Sequence, residues 1–454
     1  MSNFEKLKQK LDELKEKFPH DEYIEKRGRK KQNLKIIGVT GSNGKTSTVL
    51  LLHEYFKSIG IKSVVVASCG IDLEISNYDK NREVDIPIFN ETSLINVIDG
   101  AIKEGAEYLI LEINERTIEK GYIEGIPFSI RAITNIVPKH NTLSYTEEEY
   151  VNIKKSFFKI DEEDECISIY TLTEKELLED LIRQNNKPYK IVSSEYVARV
   201  KGVEEEKIDY MLHQGTKEFD SLNGLNFNIK TKTTDEEYHT NLIMPFNALN
   251  ITLAYAIIDS LNEMDSEVFK EVLERIIIPG RDEVIRYNGR TIIISITCTP
   301  HLEILKRYKE NNKINNIILV TGALGNGFNS WLSEYKNENF KNYVNESMKW
   351  AYSYFIKNTD KIYVTTNDYA NSNVSELLKS QENELKGKTI YKVIENRKEA
   401  IKKAIEESKE GDVIFISGRG NKKVFSKSHN NVELYLDKDI VLQKIREKDN
   451  ANKI

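Results

Sequence analysis

An apolar run, Leu34 to Thr40, breaks into Gly41-Ser42-Asn43-Gly44-Lys45-Thr46-Ser47 and then into a stretch of helical period from Thr46 to Ile59. A strand that turns on glycines directly into a helix commits the chain to few architectures. A second apolar run, Lys62 to Ser68, follows almost at once, so the helix is a crossover between parallel strands. The alternation continues. Leu94 to Glu104 reads as helix, Tyr108 to Ile113 and Arg131 to Asn135 as strands, Tyr150 to Phe158 as helix and Cys166 to Tyr170 as strand. This order predicts an α/β fold with a mostly parallel sheet and helices on both faces. Leu225 to Lys232 and Tyr238 to Met244 alternate polar and apolar residues around Thr234-Asp235-Glu236, the sign of a small β-hairpin-containing insertion. A helix, Ala248 to Leu261, comes next. After Pro279-Gly280-Arg281 a fresh α/β series begins, with strands Thr291 to Ile296, Ile317 to Thr321, Lys361 to Thr365 and Val413 to Ser417. The expected domains are a charged helix and linker over 1–33, a P-loop parallel-sheet domain over 34–281 and a Rossmann-like α/β domain over 282–454.

The bulk properties exclude several classes. With 454 residues, the chain is too long for one ordinary core. A net charge of -6 argues against a nucleic-acid partner, which calls for a strongly basic face. The opening MSNFEKLKQKLDELKEKF is too charged for a secretory signal, and no apolar run is long enough to span a bilayer. Cys69, Cys166 and Cys298 lie far apart and form neither a zinc spacing nor a disulfide framework. The expectation is a cytoplasmic monomer.

The glycine turn is the first chemical signal. Backbone N–H groups of such a loop, with the helix N-terminus behind them, form an anion site. Gly44 allows close approach of phosphate, Lys45 can reach the β- and γ-phosphates, and the Thr46 hydroxyl can bind Mg²⁺. A standard P-loop has glycine where this chain has Val39. The loop alone specifies a nucleotide and does not separate a kinase, a GTPase and a ligase.

Further motifs follow in order. They are Leu111-Glu112-Ile113 at a strand end, Thr134-Asn135-Ile136-Val137-Pro138-Lys139-His140, Lys154 on the next helix, Phe246-Asn247-Ala248-Leu249-Asn250, and Pro279-Gly280-Arg281. Together with GSNGKTS they resemble the Mur ligase family, over about Ile36 to Phe425. The branch that adds the third residue to the muramoyl peptide is the most similar. The resemblance implies an ATP-dependent amide ligase that forms an acyl phosphate from a carboxylate donor and passes it to an amino-acid or peptide amine. It implies ATP on Gly41, Asn43, Gly44, Lys45, Thr46, Ser47, Asn247, Asn250 and Arg281. It implies Mg²⁺ on Thr46, Glu112 and His140, and a carbamylated lysine at Lys154. The chemistry needs these groups, because a carboxylate attacking an anionic triphosphate requires cations between them. Lys45 and Arg281 would stabilise the charge that develops on the phosphoryl group. Taken singly, each residue also has an ordinary reading: Glu112 as a polar strand end, His140 as a loop histidine, Lys154 and Lys155 as solvated lysines, Asn250 as a helix-start residue.

The departures from the family pattern gather where substrates are chosen. Only about thirty residues precede the first core strand, too few for a separate sugar-nucleotide domain. The family's D-Y-A-H-x-P reads Ser295-Ile296-Thr297-Cys298-Thr299-Pro300, its D-N-P-R reads Asn367-Asp368-Tyr369-Ala370, and its G-K-G-H reads Gly418-Arg419-Gly420-Asn421. Arg116 could bind a substrate carboxylate, a structural ion pair being the alternative. Asp368 could hold a substrate ammonium and Arg419 a carboxylate, or both could be surface residues. Three readings stay open: a ligase with an unusual donor and acceptor, a folylpolyglutamate- or cyanophycin-synthetase-like ligase, and a ligase-derived nucleotide-binding regulatory protein.

Overall fold

A computed structural model describes residues 34–68, 70–72, 91–124, 126–137, 145–160, 165–185, 187–214, 219–311, 313–322, 338–369, 372–428 and 431–451. The expected helix over 1–33 and the metal ligand His140 lie outside the described residues. The chain divides into two compact units at Ile276/Ile277.

Among the described residues, the first unit is built on one sheet of eleven strands. These are β1 (Lys35–Thr40), β2 (Ser63–Ala67), β3 (Gly70–Asp72), β4 (Tyr108–Glu112), β5 (Phe128–Ile133), β6 (Ile167–Thr171), β7 (Tyr189–Ser194), β8 (Tyr210–Gln214), β9 (Asp220–Ser221), β10 (Gly224–Lys230) and β11 (Asp235–Thr240). The order is β11-β10-β8-β7-β6-β5-β1-β4-β2-β3, with β9 on β10. From β1 the chain winds to β2 and β4 on one side, then reverses to β5 on the other. β1 is therefore the switch point of the sheet, parallel to β4 and β5 on its two flanks. Ligands of open α/β sheets bind beyond the carboxyl ends of strands at such a reversal.

The central strands are short runs of Ile, Val and Leu buried on both faces, as parallel strands covered by helices must be. The helix Lys45–Ser58 is covered on most of its faces and buries Val49, Leu51, Leu52, Tyr55 and Phe56, together with Thr46, Thr48 and His53. Each such side chain stabilises the unit by about 1.5–3 kcal/mol relative to exposure. The predicted hairpin is present, but it extends the main sheet as its antiparallel edge on β8 and is not a separate insertion. Its turn also lies earlier than predicted. The Thr231 hydroxyl accepts from the N–H groups of Thr233 and Thr234 at 3.1 and 3.0 Å, leaving Asp235 and Glu236 in β11.

The second unit has a sheet of order β12-β13-β17-β14-β15-β16. Its strands are β12 (Glu283–Tyr287), β13 (Arg290–Ser295), β14 (Ile317–Thr321), β15 (Lys361–Val364), β16 (Ile390–Val393) and β17 (Val413–Ser417). All neighbours are parallel except the β12–β13 hairpin. A second hairpin, β18 (Val424–Ser428) with β19 (Asn431–Leu434), stands apart from it. No helix among the described residues is long and apolar enough to cross a membrane.

Candidate active site

The glycine loop leaves the carboxyl end of β1, at the switch point. Gly44 caps the following helix with φ 88° and offers no side-chain cap to its first-turn N–H groups. The first turn also carries no acidic residue. These donors and the positive end of the helix dipole suit an anion. Gly41, with φ 140°, passes so close to its neighbour that a Cβ there would lie 2.0 Å from Thr134 Oγ1. A Cβ on Gly44 would lie 2.2 Å from Asn250 Oδ1.

Thr134 and Asn135 lie beyond the end of β5, where a strand through Asn135 had been predicted. They clamp the loop instead. Asn135 Oδ1 accepts from Asn43 N at 3.1 Å, Asn135 Nδ2 donates to Asn43 O at 2.9 Å, and Thr134 Oγ1 donates to Asn43 O at 2.5 Å. Ser42 Oγ accepts from Val137 N at 2.8 Å and lies 2.9 Å from the Tyr150 hydroxyl. Lys45 Nζ donates to the loop carbonyls of Gly41 and Ser42 at 2.8 and 3.1 Å, so its ammonium sits over the cradle. Ser47 is half-buried in the same first turn. Asn247 and Asn250 are both buried at the start of the helix Phe246–Ser260, with Asn250 Nδ2 donating to Asn247 Oδ1 at 3.3 Å.

Glu112 ends β4 directly beside β1. Its Oε2 accepts from Thr46 Oγ1 at 3.0 Å and from Ser68 N at 2.7 Å. The Ser68 hydroxyl is 2.8 Å from Thr46 Oγ1. These oxygen donors fit Mg²⁺, which takes one or two carboxylates plus phosphate oxygens and water. No group of three or more His, Cys, Asp or Glu converges on one point among the described residues. Thr46 and Glu112 suit a cation that keeps phosphate and water among its ligands.

Lys154 reaches this edge from the helix Glu147–Ser156, which opens with a capping box between Thr146 and Glu149. Tyr150 and Lys154, four residues apart, share its inward face. Lys154 is fully buried. Its Nζ bonds Glu115 Oε2 at 3.1 Å and Thr40 Oγ1 at 3.2 Å. Burial pushes the ammonium down to about 8, against the pull of Glu115. Burial would raise the Glu115 carboxyl, but Lys154 and Lys45 overcome it and hold the group at about 2. Sequence reasoning missed Glu115, Ser68 and Thr40. The one signal available for Glu115 was a second acid in Glu112-Ile113-Asn114-Glu115. Arg116, next in the chain, is half-exposed in the short helix Glu115–Glu119 and forms no ion pair among the described residues.

In the second unit the motifs that depart from the family pattern meet at one edge of the sheet. Gly418 N donates to Ser295 O at 3.1 Å, and Asn367 Nδ2 donates to Gly322 O at 3.3 Å. A Cβ on Gly280, in the Pro279-Gly280-Arg281 turn, would lie 2.0 Å from Asn421 N. Arg281 N closes that turn on Ile278 O at 3.0 Å. Asp368 and Arg419 are not surface residues; both are buried. Arg419 donates to Asp437 at 3.4 Å and to the carbonyls of Lys422 and Val424 at 2.9 and 3.1 Å, with its guanidinium over the rings of Phe425 and Tyr435. This corrects the expectation that Arg419 grips a substrate carboxylate, because Asp437 and the main chain already take that guanidinium. Asp368 lies 3.3 Å from Lys422 Nζ and 3.9 Å from Arg419 Nε, so protein cations fill the place expected for a substrate ammonium.

A P-loop cradle at the switch point of one unit, followed by a Rossmann-like second unit, defines a nucleotide-dependent ligase architecture. The family profile of the Mur ligase middle domain matches residues 39–258, and that of the Mur ligase glutamate ligase domain matches residues 280–420. The UDP-N-acetylmuramoyl-L-alanyl-D-glutamate--2,6-diaminopimelate ligase of Parabacteroides distasonis is 27% identical over 402 residues, covering 86% of this chain and 74% of the relative. The enzyme of the same name from Buchnera aphidicola is 23% identical over 428 residues, covering 92% and 76%. A solved structure of a ligase of that name superposes with a TM-score of 0.60 at 20% identity, over 92% of this chain and 79% of the other. FolC of E. coli, solved with DHPP and ADP, gives 0.60 at 14% identity, over 93% and 90%. These structural likenesses bear on the fold. The chain belongs to the Mur ligase family. As such it is an ATP-dependent acid–amino-acid ligase.

Proposed function

We propose that this ligase binds ATP-Mg²⁺ on the Gly41–Ser47 loop, converts a carboxylate donor to an acyl phosphate and couples it to an amino-acid or peptide amine. The observation that carries this reading is the convergence of the uncapped loop, Lys45, Thr46, Glu112 and Lys154 at the carboxyl edge of β1 and β4. When bound, Mg²⁺ would lower the repulsion between carboxylate and triphosphate, held by Thr46 and Glu112 with His140 as a further ligand. The loop N–H groups orient the phosphates. Lys45 leaves its two carbonyls to follow the transferring phosphoryl group, and Asn247 and Asn250 flank the loop on the nucleotide side.

Relatives named for a muramoyl peptide and diaminopimelate support substrates in the class of cell-wall peptides and their amino-acid acceptors. The second unit, from about residue 282, is assigned to the acceptor. Its altered Asn367–Ala370 and Gly418–Asn421 segments support an acceptor other than the one in those names, since a buried polar site rejects ligands that leave its groups unpaired. Arg116 is the candidate for a donor or acceptor carboxylate. Cytoplasmic, monomeric action fits the same reading. Phosphate release by purified protein, measured with a panel of carboxylate donors and amines, tests it. Turnover that requires one donor and one amine together supports a ligase. Tight ATP binding with no turnover on any pair would favour the regulatory reading.

A further inference from the structure

The second unit carries a group of charges that does not balance. Arg397, Arg419 and Lys422 face two carboxylates, Asp437 and Asp368. Asp437 takes Arg397 at 2.7 Å and Arg419 at 3.4 Å. Asp368 is shared between Lys422 Nζ at 3.3 Å and Arg419 Nε at 3.9 Å. The groups around them do not cancel the excess. Lys398 and Lys427 both contact Glu433, and Glu395 stands exposed just beyond β16. With these included, cations still outnumber carboxylates. The side chains of Arg397 and Arg419 have no exposed surface, whereas Lys422 keeps 17% of its own exposed. The excess charge therefore meets the outside at Lys422, a compact ammonium on a flexible stem.

The place suits a ligand. Asp368 and Lys422 lie on the segments that leave β15 and β17 at the carboxyl edge of the sheet, beyond which open α/β sheets bind their ligands. Two more buried polar atoms at this edge have no hydrogen-bond partner among the described residues. They are Ser295 Oγ, at the end of β13, and Asn367 Oδ1, after β15. Gly418 lies against both residues: its N donates to Ser295 O at 3.1 Å, and a Cβ on it would lie 2.3 Å from Asn367 Nδ2. A buried polar atom without a partner is a cost that a bound polar ligand removes. The sign of the ligand follows from the cations. An ammonium arriving here is repelled by Lys422 and Arg419, and a carboxylate meets complementary charge.

We propose that Lys422 is a specificity-determining residue of the acceptor site, that its ammonium takes a carboxylate of the acceptor, and that the acceptor is an acidic amino acid, free or in a peptide, and not a basic one. Asp368 orients that ammonium and is not itself offered to the ligand. The inference rests on the ligase reading for the assignment of the second unit to the acceptor.

Binding to the full chain tests it apart from turnover. Glutamate, glutamine and lysine, each as both enantiomers, are titrated by ligand-observed NMR into protein holding an unhydrolysable ATP analogue and Mg²⁺. One enantiomer of glutamate should bind at least about tenfold more tightly than lysine, with glutamine between them. Lys422→Gln should abolish that order and Lys422→Arg should keep it. Lysine bound as tightly as glutamate, binding of none of the three, or an unchanged order in a folded Lys422→Gln variant overturns the proposal. Should Lys422→Gln not fold, the order in wild type and in Lys422→Arg decides. With a donor that turns over, Lys422→Gln should raise the acceptor KM at least about tenfold and change kcat much less. A fall in kcat at constant KM contradicts a role in binding. Glutamate binding without phosphate release on any donor would count against the ligase reading alone.

Discussion

Both units bury charge, and they bury it differently. In the second unit Arg397 donates to both oxygens of Asp437, at 2.7 Å at its shortest, and to Ser417 O at 2.8 Å, while Arg419 adds its own bond to Asp437. Main-chain carbonyls take further guanidinium donors, so nearly all of the network is closed on the protein, Arg419 Nε having no hydrogen-bond partner among the described residues. At the edge of β1 and β4 the charges are held more loosely. Lys45 rests on two loop carbonyls that could release it, and the helix N–H groups behind Gly44 have no side-chain cap. Burial of charge does not by itself mark an active site. The distinction lies in whether donors and acceptors are closed on one another or left turned toward a ligand.

The largest effect should come from the loosely held cation. Lys45→Ala is expected to cut turnover about a thousandfold, as loss of a transition-state charge does, with thermal unfolding little changed because among the described residues Nζ bonds carbonyls of its own loop. Unchanged turnover in a folded variant would erase the contrast between the units. Asp437→Ala should do the reverse. Two buried guanidinium groups lose their carboxylate, and the second unit should lose about 3–5 kcal/mol in denaturant unfolding, with nucleotide binding by the first unit kept. Gly44→Ala forces a Cβ onto Asn250 at a left-handed position and should cost about 1–3 kcal/mol, with weaker ATP binding by calorimetry.

The pH dependence sharpens the picture of the Lys154–Glu115 pair. The Glu115 carboxyl is depressed from 4.5 to about 2 in the folded chain. Its contribution, about 3 kcal/mol, is complete above pH 4.5 and is lost as pH falls toward 2. Lys154 is depressed from 10.5 to about 8, so the unfolded chain holds more protons between those values and stability rises with pH across them. The two shifts nearly offset one another at neutral pH, as is common for buried pairs, which fits a site kept for chemistry more than for stability. Urea unfolding of wild type and Glu115→Gln should converge as pH falls from 4.5 to 2. A constant gap would contradict the assignment. The smallest change is Tyr150→Phe, which removes the hydroxyl beside Ser42 and should cost about 1 kcal/mol.

Much of this was legible in the chain because it is local. The strand–glycine–helix unit, the end of β4 at Glu112 and the helix bearing Lys154 follow from period and spacing. What escaped was set by tertiary contact. Tyr189–Ser194 buries only its middle residues, and Ile390–Val393 is four residues long with none fully buried, so neither stands out as an apolar core run. Thr134 and Asn135 look like the continuation of a strand and instead bind the phosphate loop. Glu115 is 39 residues from Lys154, and no spacing rule joins them. Asp368 and Arg419 matched motif positions in sequence, yet the fold closes them on Lys422 and Asp437.

Label transfer from the donor tests the central claim most directly. A donor from the panel carrying ¹⁸O in its carboxylate is incubated with ATP, Mg²⁺ and amine, and the released phosphate is analysed by mass spectrometry. An acyl phosphate on the Gly41–Ser47 site predicts one donor oxygen in the phosphate for each amide formed. Phosphate free of label, released with ADP while no amide accumulates, would contradict it.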